Sequence, residues 1–195
     1  MTNELLELYE ADGRTDKHTR HAYPWFYDPL LRHKKETAKN VLEIGVYRGG
    51  SLDAFAEFFP NAHVQGIDTV DPSHHLPDLT LPERHPRVTV HIGDGYDHEF
   101  LKRFEDIKWD VVLDDGPHTK ESQLATLDYF HTRLAPNGIL LIEDVREVNF
   151  EWIVDEFILR HPKHESTVYK NLSVINRKHT SDSGYQDEFI IGYME

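Results

Sequence analysis

The 195-residue sequence contains no cysteine, which excludes disulfides and thiolate metal sites. No run approaches the roughly 20 apolar residues of a membrane-spanning helix, and the first residues lack the basic and apolar regions of a signal peptide. Basic residues are outnumbered, because 21 Lys and Arg stand against 35 Asp and Glu, for a net charge of −14. A surface this acidic repels phosphate backbones. We therefore expect a cytoplasmic protein with neither a nucleic-acid nor a membrane partner.

The length fits one compact domain with an ordinary hydrophobic core. Short apolar runs alternate with stretches of helical periodicity, which is typical of a parallel sheet covered by helices on both faces. These runs lie at residues 41–44, 63–67, 88–92, 111–113 and 139–142. The pattern predicts a single α/β domain, in which residues 40–195 form the core and residues 1–39 form an N-terminal helix and a lid segment.

Three helical patterns separate or follow these runs. Ser51 is placed to cap the first helix, and the second carries apolar residues at a spacing near 3.6 as far as Leu134. The third, around residues 150–158, is the most amphipathic. From about residue 167 the chain reads as two further strands, the second over 188–193.

Two segments fit no regular element. Residues 12–29 mix polar and aromatic side chains, and residues 71–86 contain four prolines. Long irregular loops in compact domains are usually functional or mobile. We expect residues 12–29 to lie across the mouth of the sheet and both segments to form a lid over a ligand pocket. Tyr23, Trp25 and Tyr27 would suit a sugar or a flat phenol equally well, and could as easily pack within the lid.

A glycine turn joins the first strand to the first helix. Gly45 permits a tight turn, and Gly49 and Gly50 let a ligand approach the backbone and the amides of the helix N-terminus. Such a turn also occurs in ordinary β–α connections. Its spacing is not the Gly-x-Gly-x-x-Gly of a dinucleotide site. A carboxylate at Glu43 would repel a pyrophosphate, but it suits the ammonium and sulfonium of S-adenosylmethionine.

Acidic residues follow the next two strands. Asp68 ends the second strand, where a carboxylate can accept both ribose hydroxyls of an adenosine. Asp94 closes the third strand, where it could read the adenine amine. Together with the glycine turn from Gly45 to Ser51, these acids predict an S-adenosylmethionine site.

A second acidic cluster follows the fourth and fifth strands. Asp115 ends one strand, and Glu143 and Asp144 end its expected neighbour, so the three carboxylates could converge on a hard divalent ion such as Mg²⁺. His118, with a neutral imidazole near its ordinary pKa, could act as the general base toward a hydroxyl held by that ion. The alternatives are that the acids are solvated or cap helices, and that His118 caps the following helix.

The motifs together resemble the macrolide sugar O-methyltransferases and the cephalosporin-type enzymes that share their core. The matching residues are Thr15-Asp16-Lys17 with His21, Tyr23 and Tyr27; the turn at 43–52; Asp114-Asp115-Gly116-Pro117-His118; and Glu143-Asp144. The resemblance covers roughly residues 10–145. Arg14 departs from the pattern, because it separates Gly13 from the Thr-Asp-Lys triplet.

The resemblance implies a Rossmann-like class I methyltransferase with a seven-stranded, mostly parallel sheet and an antiparallel C-terminal strand. It implies Mg²⁺ at Asp115, Glu143 and Asp144, and a histidine base at His118. Lys17 and Asp114 lie in the matched motifs, and we place them with the cofactor-binding residues Glu43, Gly45, Gly49, Ser51, Asp68 and Asp94.

The expected reaction is methyl transfer to a hydroxyl of a small molecule such as a sugar or another natural product, by a chain that could form a homo-oligomer. Two alternatives stay open. An NAD-dependent oxidoreductase can use the same kind of sheet, and a non-catalytic protein could retain the S-adenosylmethionine pocket.

Overall fold

The computed structural model describes residues 2–75, 85–163, 168–172 and 188–194. The helices are α1 (Glu4–Asp12), α2 (Tyr23–Leu31), α3 (Gly50–Phe58), α4 (His98–Leu101), α5 (Lys120–Phe130) and α6 (Glu147–Arg160). The strands are β1 (Asn40–Ile44), β2 (His63–Asp68), β3 (Val88–Ile92), β4 (Trp109–Asp114), β5 (Leu134–Arg146), β6 (Val168–Leu172) and β7 (Glu188–Met194). Within this part of the chain, none of the helices has the length and apolarity to cross a membrane.

The strands form one mixed sheet in the order β3-β2-β1-β4-β5-β7-β6. Strands β1 to β5 are parallel, and β7 runs antiparallel to both β5 and β6. The predicted Rossmann-like architecture with an antiparallel C-terminal strand is confirmed. Because β1 to β5 are parallel, their carboxyl ends share one edge of the sheet, where ligands bind in folds of this kind.

Alternating side chains of the central strands pack into two hydrophobic cores, one on each face of the sheet. Val41 and Val111, paired across β1 and β4, face the core formed with α1, α2 and α3. Leu42 and Val112, the next pair in register, face the core formed with α5 and α6. Continuous apolar runs are therefore buried on both sides, as expected of parallel strands covered by helices.

Two helix predictions are wrong in detail. The N-cap of α3 is Gly49 at φ +80°, and the Ser51 hydroxyl lies inside the helix and donates to Glu43. Glycine adopts this left-handed backbone without the steric cost that Ser would carry. Helix α5 ends at Phe130, and Leu134 begins β5 instead of continuing the helical stripe.

The segment 12–29 is more regular than predicted. Helix α2 occupies its second half, with Pro24 in the first turn, where a missing N–H costs no intrahelical bond. Tyr23, Tyr27 and Leu31 recur every four residues along its buried face. Side chains of this segment reach the carboxyl ends of β4 and β5, where Lys17 contacts Asp115, Tyr23 contacts Asp144 and Tyr27 contacts Glu143; its role as a lid stays a prediction. The proposed lid at 71–86 falls mostly on residues 76–84, which are outside the described residues.

Candidate functional site

A pocket of about 480 Å³ opens at the carboxyl ends of β1 to β4. Its lining residues are Ile44, Gly45, Tyr47, Ile67, Asp68, Thr69, His75, Gly93, Asp94, Gly95, Tyr96, Asp115, Gly116 and Pro117. The wall is thus built from the turns that follow four neighbouring strands, which is the position expected of a nucleoside pocket in this fold.

Gly45 allows the ends of β1 and β4 to approach each other closely. Its backbone has φ +87°, and a Cβ added there would lie 2.0 Å from the carbonyl oxygen of Asp115. The Gly45 N–H donates to Ile67 at 2.9 Å, while the Asp115 N–H donates to Ile44 at 2.8 Å. Gly45 therefore has a structural role as well as a place on the pocket wall.

Asp68 holds the glycine turn in place from the end of β2. One carboxylate oxygen accepts from the backbone N–H groups of Val46 at 2.8 Å and Tyr47 at 3.0 Å, and the other accepts from Val70 at 3.0 Å. A carboxylate has about four acceptor positions, so roughly one is left for a ligand. Asp94, also on the wall, accepts from the N–H of Tyr96 at 2.9 Å.

The other predicted cofactor residues lie outside the pocket wall, as far as the described part of the chain shows; they are Lys17, Glu43, Gly49, Ser51 and Asp114. Asp114 is buried beneath the wall, where its carboxylate accepts from the Tyr96 hydroxyl at 2.6 Å and from Thr126. Burial raises the pKa of Asp114. These five residues stay predicted cofactor ligands.

A β-bulge in β5 places two successive carboxylates at the same edge of the sheet. In the pairing of β5 with β7, Ile142 faces Ile191 and Val145 faces Phe189, so two residues of β5 oppose one of β7. Asp144 has φ +52°. A bulge re-aims side chains that would otherwise point to opposite faces. Glu143 and Asp144 can therefore both contact the N-terminal segment.

His118 lies between Asp115 and Asp144. Its Nε2 is 3.2 Å from Asp115 Oδ1, and its Nδ1 is 3.6 Å from Asp144 Oδ2. One ligand atom from each of the three residues lies within 4.8 Å of the others, a spacing at which a single metal ion could contact all of them. His118 itself has φ +55°, an uncommon backbone for a residue other than glycine and one that clusters at functional sites.

Lys17 supplies the buried positive charge of this cluster. Its ammonium contacts Asp115 Oδ2 at 2.6 Å and Glu143, and lies 3.7 Å from Glu43. Although burial lowers the pKa of Lys17, the surrounding carboxylates outweigh it and raise the pKa well above its ordinary value. Burial alone would raise the pKa of Asp115, but Lys17 and His118 lower it to about 2. Asp115 is thus held as a carboxylate.

The predicted ordinary pKa of His118 is wrong. Burial lowers this pKa, but the hydrogen bond that His118 donates to Asp115 and the charge of Asp144 outweigh burial, and the pKa is raised. The alternative in which His118 caps α5 is also wrong, because the Thr119 side chain accepts from the N–H of Ser122 and caps the helix. His118 therefore does not cap α5.

The sequence matches a known family over the region that forms this pocket. The profile of a methyltransferase domain matches residues 42–145, from β1 to the bulge in β5. The chain belongs to this methyltransferase family.

Several O-methyltransferases are among the relatives of this methyltransferase. It is 32% identical over 133 residues to mycinamicin VI 2''-O-methyltransferase of Micromonospora griseorubida, covering 62% of this chain and 31% of that protein. It is 30% identical over 161 residues to 8-demethyl-8-alpha-L-rhamnosyl tetracenomycin-C 2'-O-methyltransferase of Streptomyces olivaceus, covering 71% and 40%. The methyltransferase therefore spans 31% to 40% of the length of these relatives.

Solved structures show the same fold. The MycE methyltransferase of the mycinamycin pathway, in complex with Mg, SAH and mycinamycin VI, superposes with a TM-score of 0.62 at 30% identity, covering 72% of this chain and 37% of that one. An O-methyltransferase from Bacillus cereus in complex with SAH gives a TM-score of 0.60 at 15% identity, covering 100% and 92%. The second likeness concerns the fold alone.

Sequence reasoning missed the role of two tyrosines of α2. The hydroxyl of Tyr23 donates to Asp144, and that of Tyr27 donates to Glu143. Both rings are buried and lie 5.6 Å apart. The four-residue spacing of Tyr23 and Tyr27 was the available signal, since it places both on one face of a helix.

Proposed function

We propose that the chain is an S-adenosylmethionine-dependent, Mg²⁺-assisted O-methyltransferase that acts on a hydroxyl of a small molecule such as a sugar or another natural product. One observation carries the proposal: Asp115 belongs both to the wall of the nucleoside-sized pocket and to the cluster with His118 and Asp144. A methyl donor in the pocket and an acceptor at the cluster would therefore be neighbours.

The pocket fits S-adenosylmethionine by its position and its acids. Asp68 is the proposed ribose ligand, and Asp94, which also lines the pocket, is the proposed ligand of the adenine end. The turn from Gly45 to Ser51 would face the methionine part, with Glu43 and Lys17 behind it. The dinucleotide spacing is missing from this turn, which favours this cofactor over NAD.

The cluster fits a hard divalent ion. Asp115 Oδ1 and Asp144 Oδ2 both face His118, and oxygen donors are those that Mg²⁺ prefers. Glu143 stays the predicted third ligand, because each of its oxygens accepts one hydrogen bond, from Lys17 or Tyr27, and keeps a second lone pair.

When bound, S-adenosylmethionine supplies a methyl group on a sulfonium, and the divalent ion polarises the acceptor hydroxyl. His118 accepts the hydroxyl proton at an imidazole nitrogen. The oxygen freed of its proton by His118 would take the methyl group, with the cofactor sulfur as the leaving group. Asp115 and Asp144 stabilise the imidazolium that results, since both carboxylates lie beside it. Displacement of this kind depends mainly on alignment.

Calorimetry and turnover test the proposal. We expect S-adenosylhomocysteine to bind and NAD not to bind; the reverse result would favour the oxidoreductase. With a panel of sugars and phenols, methyl transfer is expected to stop in EDTA and return with Mg²⁺ or Mn²⁺. Binding of S-adenosylhomocysteine without turnover on any acceptor would favour a non-catalytic binding protein.

A further inference from the structure

The two carboxylates that face His118 are each held by a donor from the N-terminal segment. Lys17 contacts Asp115 through Oδ2, which leaves Oδ1 toward His118. Tyr23 donates to Asp144 Oδ1, which leaves Oδ2 toward His118. In both cases the outer donor takes one oxygen, and the other oxygen of the same carboxylate faces His118, the third residue of the candidate metal cluster.

Tyr23 is built to hold this position. Its side chain is 2% exposed, its ring stacks on Tyr27 at 5.6 Å and on His21 at 4.7 Å, and α2 fixes its backbone. Asp144, by contrast, sits in a bulge with a left-handed backbone. The rigid partner is therefore the tyrosine, and the residue that needs orienting is the carboxylate.

We propose that Tyr23 is a positioning residue for the divalent ion: its hydroxyl orients Asp144 so that Oδ2 faces the cluster. The inference rests on the metal-assisted form of the proposed function. Groups that hydrogen-bond to metal ligands fix the orientation of those ligands, and their loss typically costs about 10- to 100-fold in metal affinity. Tyr23 has a neutral hydroxyl, so its removal changes orientation without changing the charge of the site.

The test is the affinity for Mn²⁺, measured by calorimetry and by electron paramagnetic resonance of the free ion. Tyr23→Phe is expected to weaken Mn²⁺ binding about tenfold or more. Tyr9→Phe is the matched control, because Tyr9 is a buried tyrosine of the same core whose hydroxyl has no hydrogen-bond partner among the described residues. The control is expected to bind Mn²⁺ within twofold of the wild type. Thermal melting without added metal shows that both variants are folded.

A second comparison tests whether Tyr23 acts through Asp144. Asp144→Asn replaces the carboxylate by a neutral amide. Loss of the hydrogen bond from the Tyr23 hydroxyl then costs less free energy, because a buried amide without a partner is less unfavourable than a buried charge without one. In that background, adding Tyr23→Phe is expected to change residual Mn²⁺ binding less than twofold, since Tyr23 acts through Asp144. A further tenfold loss would mean that Tyr23 acts by another route, and would overturn the inference.

Two other results separate this inference from the proposed function. Wild-type Mn²⁺ affinity in Tyr23→Phe would overturn the positioning role alone. If the wild type binds S-adenosylhomocysteine but no Mn²⁺, the metal site and the role of Tyr23 are both overturned, while the methyltransferase proposal stands.

Discussion

The Nε2 atom of His118 lies 3.2 Å from Oδ1 of Asp115, a residue that also lines the pocket. This contact joins the candidate base to the candidate cofactor site. His118 itself does not line the pocket described above. A substitution of His118 can therefore change proton transfer while the wall of the cofactor pocket stays intact.

We predict that His118→Asn lowers kcat by about 10²–10⁴, the usual contribution of a general base, and leaves the affinity for S-adenosylhomocysteine unchanged. Asn is chosen because it tolerates the positive φ of position 118 better than most residues. His63→Asn, at the start of β2, is the control. Turnover near the wild-type rate in His118→Asn would assign the base role to another group.

Asp68→Ala is expected to weaken S-adenosylhomocysteine binding by about 1.5–3 kcal/mol, the range for hydrogen bonds to a charged group. Asp97→Ala is the matched control, because Asp97 also accepts a backbone N–H, as the N-cap of α4, but lies outside the pocket wall described above. Calorimetry measures both. If the folded Asp68→Ala and Asp97→Ala variants bind S-adenosylhomocysteine equally well, Asp68 is not a cofactor ligand.

We predict that the protein loses stability as pH rises because of the buried carboxyl group of Glu43. Burial raises its pKa from 4.5 to about 7, against the opposing effect of Lys17. Between these values the folded protein keeps a proton that the unfolded chain has released, so the free energy of unfolding falls as pH rises through this window. At about 1.4 kcal/mol per pKa unit, the fall amounts to roughly 3 kcal/mol.

Urea denaturation between pH 4.5 and 7.5 checks this, with Glu43→Gln as the variant and Glu57→Gln, at an exposed position of α3, as the control. The variant should lose that component of the pH dependence, and the control should keep it. Parallel pH curves for the wild type and Glu43→Gln would show that folding leaves the pKa of Glu43 unshifted.

Two glycines with positive φ, Gly13 and Gly45, allow the cost of backbone strain to be measured apart from the cost of a steric clash. Gly13→Ala places a Cβ with nothing within 4 Å, so it should cost only the left-handed strain of about 1–2 kcal/mol. Gly45→Ala adds the clash with the carbonyl of Asp115, and should cost about 1–3 kcal/mol more. Urea denaturation gives both values. Equal losses would mean that β1 and β4 can move apart at that point.

The strands and their terminal acids were predictable, because buried parallel strands are local apolar runs and Asp68, Asp94 and Asp115 follow them directly. The bulge at Glu143 and Asp144 was not, since it depends on pairing with β7, about 45 residues later along the chain. Helix α2 was obscured by Pro24 and Pro29. The contacts of Lys17 with Asp115 and Glu143 depend on the tertiary fold, so the matched motif could assign that residue only to the neighbouring cofactor site.

The N-terminal segment has a consequence for dissecting this protein into smaller parts. The family match begins at residue 42, so a fragment cut to those limits would keep the pocket wall but lose Lys17, Tyr23 and Tyr27. Asp115, Glu143 and Glu43 would then face one another without the ammonium of Lys17, and the core would lose α1 and α2. The smallest fragment that keeps the contacts of this acidic cluster therefore starts ahead of residue 42.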